Sequence, residues 1–192
     1  MENCQCRYST RVHLRPLIIS IFINDIVDEV NCPIKHFADD TSIYAIVDSP
    51  LITSLSLNSN LQKVQNGSNR WLVNFNPKKI QSMIISRKVE SQFHPPLYFN
   101  NVPIKNVTTH KHLGLTFSND GSWAIHINEI TAKASSRLNI IRKLKFKVDR
   151  KSLEHMYFSY VRPILEYADV IWDNCPNYIK EKLNTLTMKP HV

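Results

Sequence analysis

Two adjacent carboxylates, Asp39 and Asp40, are the sharpest chemical feature of this chain. They close the run Phe37-Ala38-Asp39-Asp40, which lies between two short β-prone stretches, Ile34 to Phe37 and Thr41 to Val47. Along a straight strand, neighbouring side chains point to opposite faces. At a hairpin tip the backbone turns, so both carboxylates can face one site. Two like charges held close repel, and one tends to take up a proton. A divalent cation removes that cost, and Mg²⁺ typically takes one or two carboxylates together with phosphate oxygens and water. Two such ions about 4 Å apart can activate a hydroxyl nucleophile and stabilise a pyrophosphate leaving group. Taken by themselves, paired aspartates in a turn have a plainer reading. Aspartate favours turns for local hydrogen-bonding reasons and is then simply solvated.

The neighbouring sequence supplies elements to hold that tip. Upstream, Leu17, Ile18, Ile21, Phe22, Ile26 and Val30 recur near helical spacing after Pro16, which predicts a mostly buried helix from Pro16 to about Val30. Downstream, Leu57, Leu61, Val64, Trp71 and Phe75 fall on one stripe of a helix expected over 51–75. Gly67 weakens its middle, and Asn76-Pro77 stops it. Ile80 to Ser86 reads as a strand. Leu97 to Phe99 and Val102 to Ile104 flank Asn100-Asn101 as a second hairpin. Thr108 to Phe117 reads as one strand with Gly114 in its interior, turned by Asn119-Asp120-Gly121.

After Trp123 the strand signals stop. Ile127, Ile130, Ala134, Leu138, Ile141 and Leu144 form a helical stripe, and 151–165 and 177–186 read as further helices. The expected fold is α+β up to about residue 121 and all-α from residue 122, with the boundary near Ser122. Residues 1–15 carry no period and are expected to be poorly ordered. The aromatic residues Tyr157, Phe158, Tyr160 and Tyr167 sit at spacings that suit core packing.

The totals exclude several classes. The three glycines, Gly67, Gly114 and Gly121, cannot form a phosphate-cradling loop. Cys4, Cys6, Cys32 and Cys175 match neither a disulfide framework nor a zinc site. They are expected to be reduced, which places the protein in the nucleus or cytoplasm rather than outside the cell. The longest apolar run, near 17–23, is far short of the roughly 20 residues that span a bilayer, so no membrane partner is expected. His110 and His112 alternate along a strand, but two histidines alone do not make a metal site.

Charge points the other way. Lys plus Arg total 24 against 16 Asp plus Glu, a net +8 that suits a polyanionic partner. Lys133, Arg137, Arg142, Lys143, Lys145, Lys147, Arg150 and Lys151 concentrate that charge around the first helix after residue 122, with Asp149 alone opposing them. Such a face could track the phosphates of a nucleic-acid duplex, or could simply be solvated.

Several ordered motifs together resemble the reverse transcriptases of non-LTR retrotransposons, of the jockey-like type. They are Ile-Asn-Asp-Ile at 23–26, Phe-Ala-Asp-Asp-Thr at 37–41, and Trp71-Leu72 followed by Asn76-Pro77-Lys78-Lys79. His112-Leu113-Gly114-Leu115, Asp120-Gly121-Ser122-Trp123, His126, the run Arg162 to Tyr167 and Trp172 continue the match, which covers roughly residues 14–186. The resemblance implies a partial polymerase palm over 16–121 and a helical thumb over 122–192. It makes Asp39 and Asp40 metal ligands and catalytic residues, and Lys79 a catalytic lysine assisting pyrophosphate departure. It makes Gly114 the glycine that admits the primer strand, and Lys133, Arg137, Arg142, Lys143 and Lys145 contacts to the nucleic acid. The implied partners are an RNA/DNA primer-template and deoxynucleotides, with Mg²⁺ as cofactor in the complete enzyme.

The departures matter as much. The family places a further catalytic aspartate on a strand upstream of the helix, whereas the one acidic residue here before Asp25 is Glu2. The glycine-bearing loop ahead of the helix is replaced by Thr10-Arg11-Val12-His13-Leu14-Arg15-Pro16, and Ile80 stands where the family has threonine. The expectation is therefore a reverse transcriptase fragment that is inactive alone. The alternatives are a non-catalytic nucleic-acid-binding remnant and, from another class, a metal-dependent hydrolase built around Asp39 and Asp40.

Overall fold

The computed structural model describes residues 30–37, 40–71, 75–87 and 93–187. The segment 1–15, the helix expected from Pro16 to about Val30 apart from Val30 itself, and Asp39 lie outside the described residues. The described chain is mixed α and β, with small antiparallel pairings and several helices. It divides into two units, one of residues 1–82 and 89–105, the other of residues 83–88 and 106–192.

The first unit opens with a hairpin of β1 (Ile34–Phe37) and β2 (Asp40–Ile43). Phe37 pairs with Asp40 and Ile34 with Ile43. Helix α1 (Pro50–Arg70) follows, with proline in its first turn, where a missing N–H costs nothing. Its buried face carries Val64 but also Ser54, Asn60 and Ser68. The polar groups on that face are tied to backbone. Ser54 Oγ donates to the Pro50 carbonyl at 2.6 Å, Asn60 Nδ2 to that of Ser56 at 2.9 Å, and Ser68 Oγ to that of Gln65 at 2.9 Å. Asn60 Oδ1 also accepts the backbone N–H of Asn31 at 2.9 Å. The strand expected over 80–86 shortens to β3 (Gln81–Ser82).

The second hairpin, β4 (Tyr98–Phe99) with β5 (Val102–Pro103), turns on Asn100 and Asn101 at φ 51° and 59°. Asparagine tolerates that left-handed backbone, so the dipeptide sets the turn. Side chains of α1 fix the hairpin's outer edge: Asn58 Oδ1 accepts from Tyr98 N–H and Gln65 Oε1 from Asn100 N–H. A small apolar cluster of Val64 and Phe99 collects Val30, Ile43, Leu61, Trp71, Phe75, Ile80 and Ile104 around it. A third short strand, β6 (Lys105–Asn106), ends the segment.

The second unit joins a hairpin to a helical bundle. Strand β7 (Thr109–His112) pairs antiparallel with β8 (Leu115–Ser118), His112 opposite Leu115. The single strand expected over 108–117 is thus two strands, and Gly114 lies in their turn rather than in a strand interior. Four helices follow: α2 (Ala124–Leu144), α3 (Arg150–Met156), α4 (Arg162–Glu166) and α5 (Asp169–Trp172), then α6 (Asn177–Thr187). The helix expected over 151–165 is interrupted by a π-helical turn at Tyr157–Val161. Pro163 explains it: its ring has no N–H and would collide with a carbonyl of the preceding turn, and a widened turn relieves the collision.

The stripe of α2 behaves as its spacing predicts. Ile127, Ile130, Ala134, Leu138 and Ile141 are buried and join Leu115, Leu153, Val161, Leu165, Trp172 and others in one core. Of the four aromatics expected to pack, only Tyr157 is buried. Phe158, Tyr160 and Tyr167 are 51%, 61% and 54% exposed. The π turn and the break at Ala168, which adopts φ 53°, rotate those positions off the inward face. No described helix is long and apolar enough to cross a membrane.

Candidate functional site

The acidic hairpin forms where its sequence demands. Asp40 is the first residue of β2, with an exposed side chain, and Asp39 lies outside the described residues. Among the described residues no group of three or more His, Cys, Asp or Glu side chains gathers to hold a metal. Asp40 alone is one exposed carboxylate, which falls short of the oxygen set that Mg²⁺ requires. Asp39, the other half of the pair, lies outside the described residues.

Lys79 sits in the same unit, exposed, at the end of a turn over residues 76–79. Asn76 organises that turn: its carbonyl accepts the Lys79 N–H at 3.0 Å, and its Oδ1 accepts the Lys78 N–H at 3.0 Å. Among the described residues no salt bridge holds its side chain, and an exposed lysine can act as a point charge on an approaching anion.

Gly114 has a demanding position. It adopts φ +83°, next to Leu113 at φ 47°. Both central residues of this turn are left-handed, which only glycine does without cost. A Cβ at Gly114 would lie 3.1 Å from the ring of Tyr167. Tyr167 Oη in turn donates to the Leu113 carbonyl at 2.8 Å. Gly114 therefore lets the turn seat against Tyr167, a packing role the sequence did not reveal. The ring is exposed because it lies over the hairpin tip rather than in the core.

The basic residues do not form one stripe. Lys133 and Arg137 are one turn apart on α2, whereas Arg142 falls about 140° round from Arg137 at about 100° per residue. Arg137 Nη1 donates to the Tyr160 carbonyl at 2.9 Å, inside the π turn, so part of its donor set serves the fold. Arg142 Nη1 donates to Asn139 Oδ1 at 3.3 Å. Lys133, Lys143 and Lys145 are exposed. Charge gathers instead at the corner between α2 and α3, where Lys143, Lys145, Lys147 and Lys151 face solvent. Asp149 is the acid within this corner, and it keeps its charge. Its carboxylate caps α3, accepting Ser152 Oγ at 2.7 Å and the Ser152 N–H at 3.0 Å, and those bonds hold its pKa below the ordinary carboxylate value.

His126 is the buried polar group that sequence reasoning noticed only as part of a motif. It is 1% exposed between Trp123 and Trp172. Its Nδ1 accepts the Thr116 N–H at 3.3 Å, which fixes the ring proton on Nε2, and Nε2 is buried without a partner among the described residues. Burial pushes its pKa below the usual histidine value, and Glu129 opposes that shift. Glu129 is held in turn by Thr116 Oγ1 at 2.8 Å. A neutral imidazole therefore pins β8 to α2. His110 and His112 stack at 6.2 Å between ring centroids without further ligands of the metal-binding kind.

Comparison with known proteins gives one signal. The chain is 22% identical over 170 residues to a Drosophila melanogaster protein described as a probable RNA-directed DNA polymerase from transposon BS. The match covers 83% of the chain and 19% of that protein, so the chain spans about a fifth of its relative's length. No family model matches, and no solved structure does.

Proposed function

We propose that this chain is a portion of a retrotransposon reverse transcriptase, related to the jockey-like elements, that binds nucleic acid but does not extend a primer by itself. The observation that carries the reading is the similarity to a transposon polymerase across 83% of the chain. The acidic hairpin, the Asn76-organised turn bearing Lys79 and the basic corner of the helical unit are consistent with it. In the complete enzyme, residues 16–121 would belong to the palm and 122–192 to the thumb. Asp39 and Asp40 would contribute carboxylates to Mg²⁺, which when bound would supply positive charge for phosphoryl chemistry on deoxynucleotides. Lys79 would place a positive charge near the departing pyrophosphate. Lys133, Arg137, Arg142, Lys143 and Lys145 would neutralise phosphates of the primer-template, and the protein would act in the nucleus or cytoplasm.

The proposed inactivity rests on the acidic pair: Asp39 and Asp40 by themselves fall short of the oxygen set that two Mg²⁺ ions require. A lost charged contact of about 4 kcal/mol in a transition state costs roughly a thousandfold in rate. Two assays on the purified chain test the proposal. A mobility shift with an RNA/DNA hybrid should appear at low salt and weaken steeply as salt rises. Primer extension with Mg²⁺ and deoxynucleotides should give no product. Absence of any shift at low salt removes the nucleic-acid reading; Mg²⁺-dependent extension removes the claim of inactivity.

A further inference from the structure

The most exposed aromatic side chain of the helical unit sits in the middle of its densest positive charge. Phe146 is 93% exposed, and Lys145 Nζ lies 6.0 Å from the centre of its ring. The sequence there, Leu144-Lys145-Phe146-Lys147-Val148, alternates apolar and basic residues. An extended strand would turn all three apolar side chains to one side. The corner does otherwise. Lys147 N–H and Val148 N–H both donate to the Leu144 carbonyl, at 2.9 and 3.1 Å, so the chain wraps tightly. Leu144 and Val148 then pack on the core from either side, and Phe146 is left at the apex.

That exposure is not forced by a lack of apolar surface to join, since both of its apolar neighbours reach the core. Lys143, Lys145, Lys147 and Lys151 flank it in sequence, all exposed, four cations against the one nearby acid Asp149, which also caps α3 through Ser152. Arg150 is drawn to Glu154 at 3.0 Å. Basic side chains interleaved with a presented aromatic ring are the combination that holds unpaired nucleotides. The cations take successive phosphates and the ring takes a base face, which every base offers.

We propose that the α2–α3 corner is a contact for single-stranded nucleic acid, with Phe146 stacking on an unpaired base and Lys143, Lys145, Lys147 and Lys151 on the flanking phosphates. This rests on the nucleic-acid reading above and sharpens it: the corner prefers an unpaired strand to a duplex. The ring supplies the discrimination, because the bases of a continuous duplex are already stacked. The lysines supply attraction that either form of nucleic acid feels.

The test is fluorescence anisotropy with the full chain and a short oligothymidylate, alongside a blunt duplex of the same length. Phe146→Ala should weaken oligothymidylate binding about 5- to 100-fold, the equivalent of one lost base stack. It should leave duplex binding within about twofold. Phe146→Trp should restore affinity, and its indole emission should fall as the oligonucleotide binds. Replacing Lys145 and Lys147 with Gln should weaken both ligands and flatten the salt dependence. Phe146→Leu matching the native chain would overturn stacking, since leucine keeps apolar area without a ring. Competition by polyglutamate as strong as by the oligonucleotide would also overturn it and point to an acidic protein segment. An unchanged Phe146→Ala with firm oligonucleotide binding ends this inference and leaves the broader reading standing. No binding of any nucleic acid ends both.

Discussion

In the helical unit, fourteen buried residues from Leu115 to Leu183 make one continuous cluster. In the N-terminal unit, Val64 and Phe99 are the buried apolar side chains of the corresponding cluster among the described residues. Its helix α1 spends much of its inward face on Ser54, Asn60 and Ser68, while Leu51, Ile52 and Leu55 are 60%, 68% and 63% exposed on the other side. The two units thus use their apolar residues in opposite ways. One hides them in a closed core at roughly 25 cal/mol per Å². The other satisfies polar groups locally and presents apolar surface outward. A unit of the first kind is stabilised from within. The described part of the second gains comparatively little from its own core.

The largest expected effect tests that contrast directly. Leu153→Ala, at a position 2% exposed, should destabilise the helical unit by about 2–5 kcal/mol. Ile52→Ala should change stability by no more than about 0.5 kcal/mol. Urea unfolding followed by segment-resolved hydrogen exchange separates the units, and equal effects of the two substitutions would break the comparison. Gly114→Ala comes next. It places a side chain at φ +83° and against Tyr167, and should cost about 1–2 kcal/mol or more. The reverse change is informative at the adjacent position. Leu113→Asn relieves a leucine held at φ 47° and should stabilise by up to about 1 kcal/mol.

Acid should act on the helical unit through His126. His126 is held neutral when folded, with its pKa below the ordinary value of 6.5. The unfolded chain therefore takes up a proton first as pH falls. This contribution is fully present above about 6.5 and is lost as pH drops from there to the lower folded value. The midpoint of urea unfolding should fall over that window, and His126→Gln should flatten the dependence. The smallest effect expected is at Asp149. Asp149→Asn keeps an acceptor for Ser152 and should leave stability nearly unchanged, whereas Asp149→Ala should fray α3, visible as faster amide exchange at its first turn.

Local chemistry was legible where one dipeptide or one period decides the outcome. Asn100-Asn101 makes its hairpin because asparagine accepts a left-handed backbone, and the stripe Ile127 to Ile141 buries because its spacing matches the helical repeat. The β1–β2 hairpin follows from β-prone runs bracketing an acidic turn, and its strands fall near the expected bounds. The candidate acids and basic residues were likewise readable as types and spacings.

What no local pattern carried was decided by packing at a distance. Gly114 belongs to a turn rather than a strand because Tyr167, far along the chain, closes over it. Pro163 rotates Phe158 and Tyr160 outward by widening a turn, and Phe146 reaches solvent because Leu144 and Val148 are both claimed by a core built from other helices. Periodicity tells which side chains a helix aligns. Which of them meet a partner depends on elements remote in sequence, so the tertiary structure settles exposure, charge clustering and the buried His126.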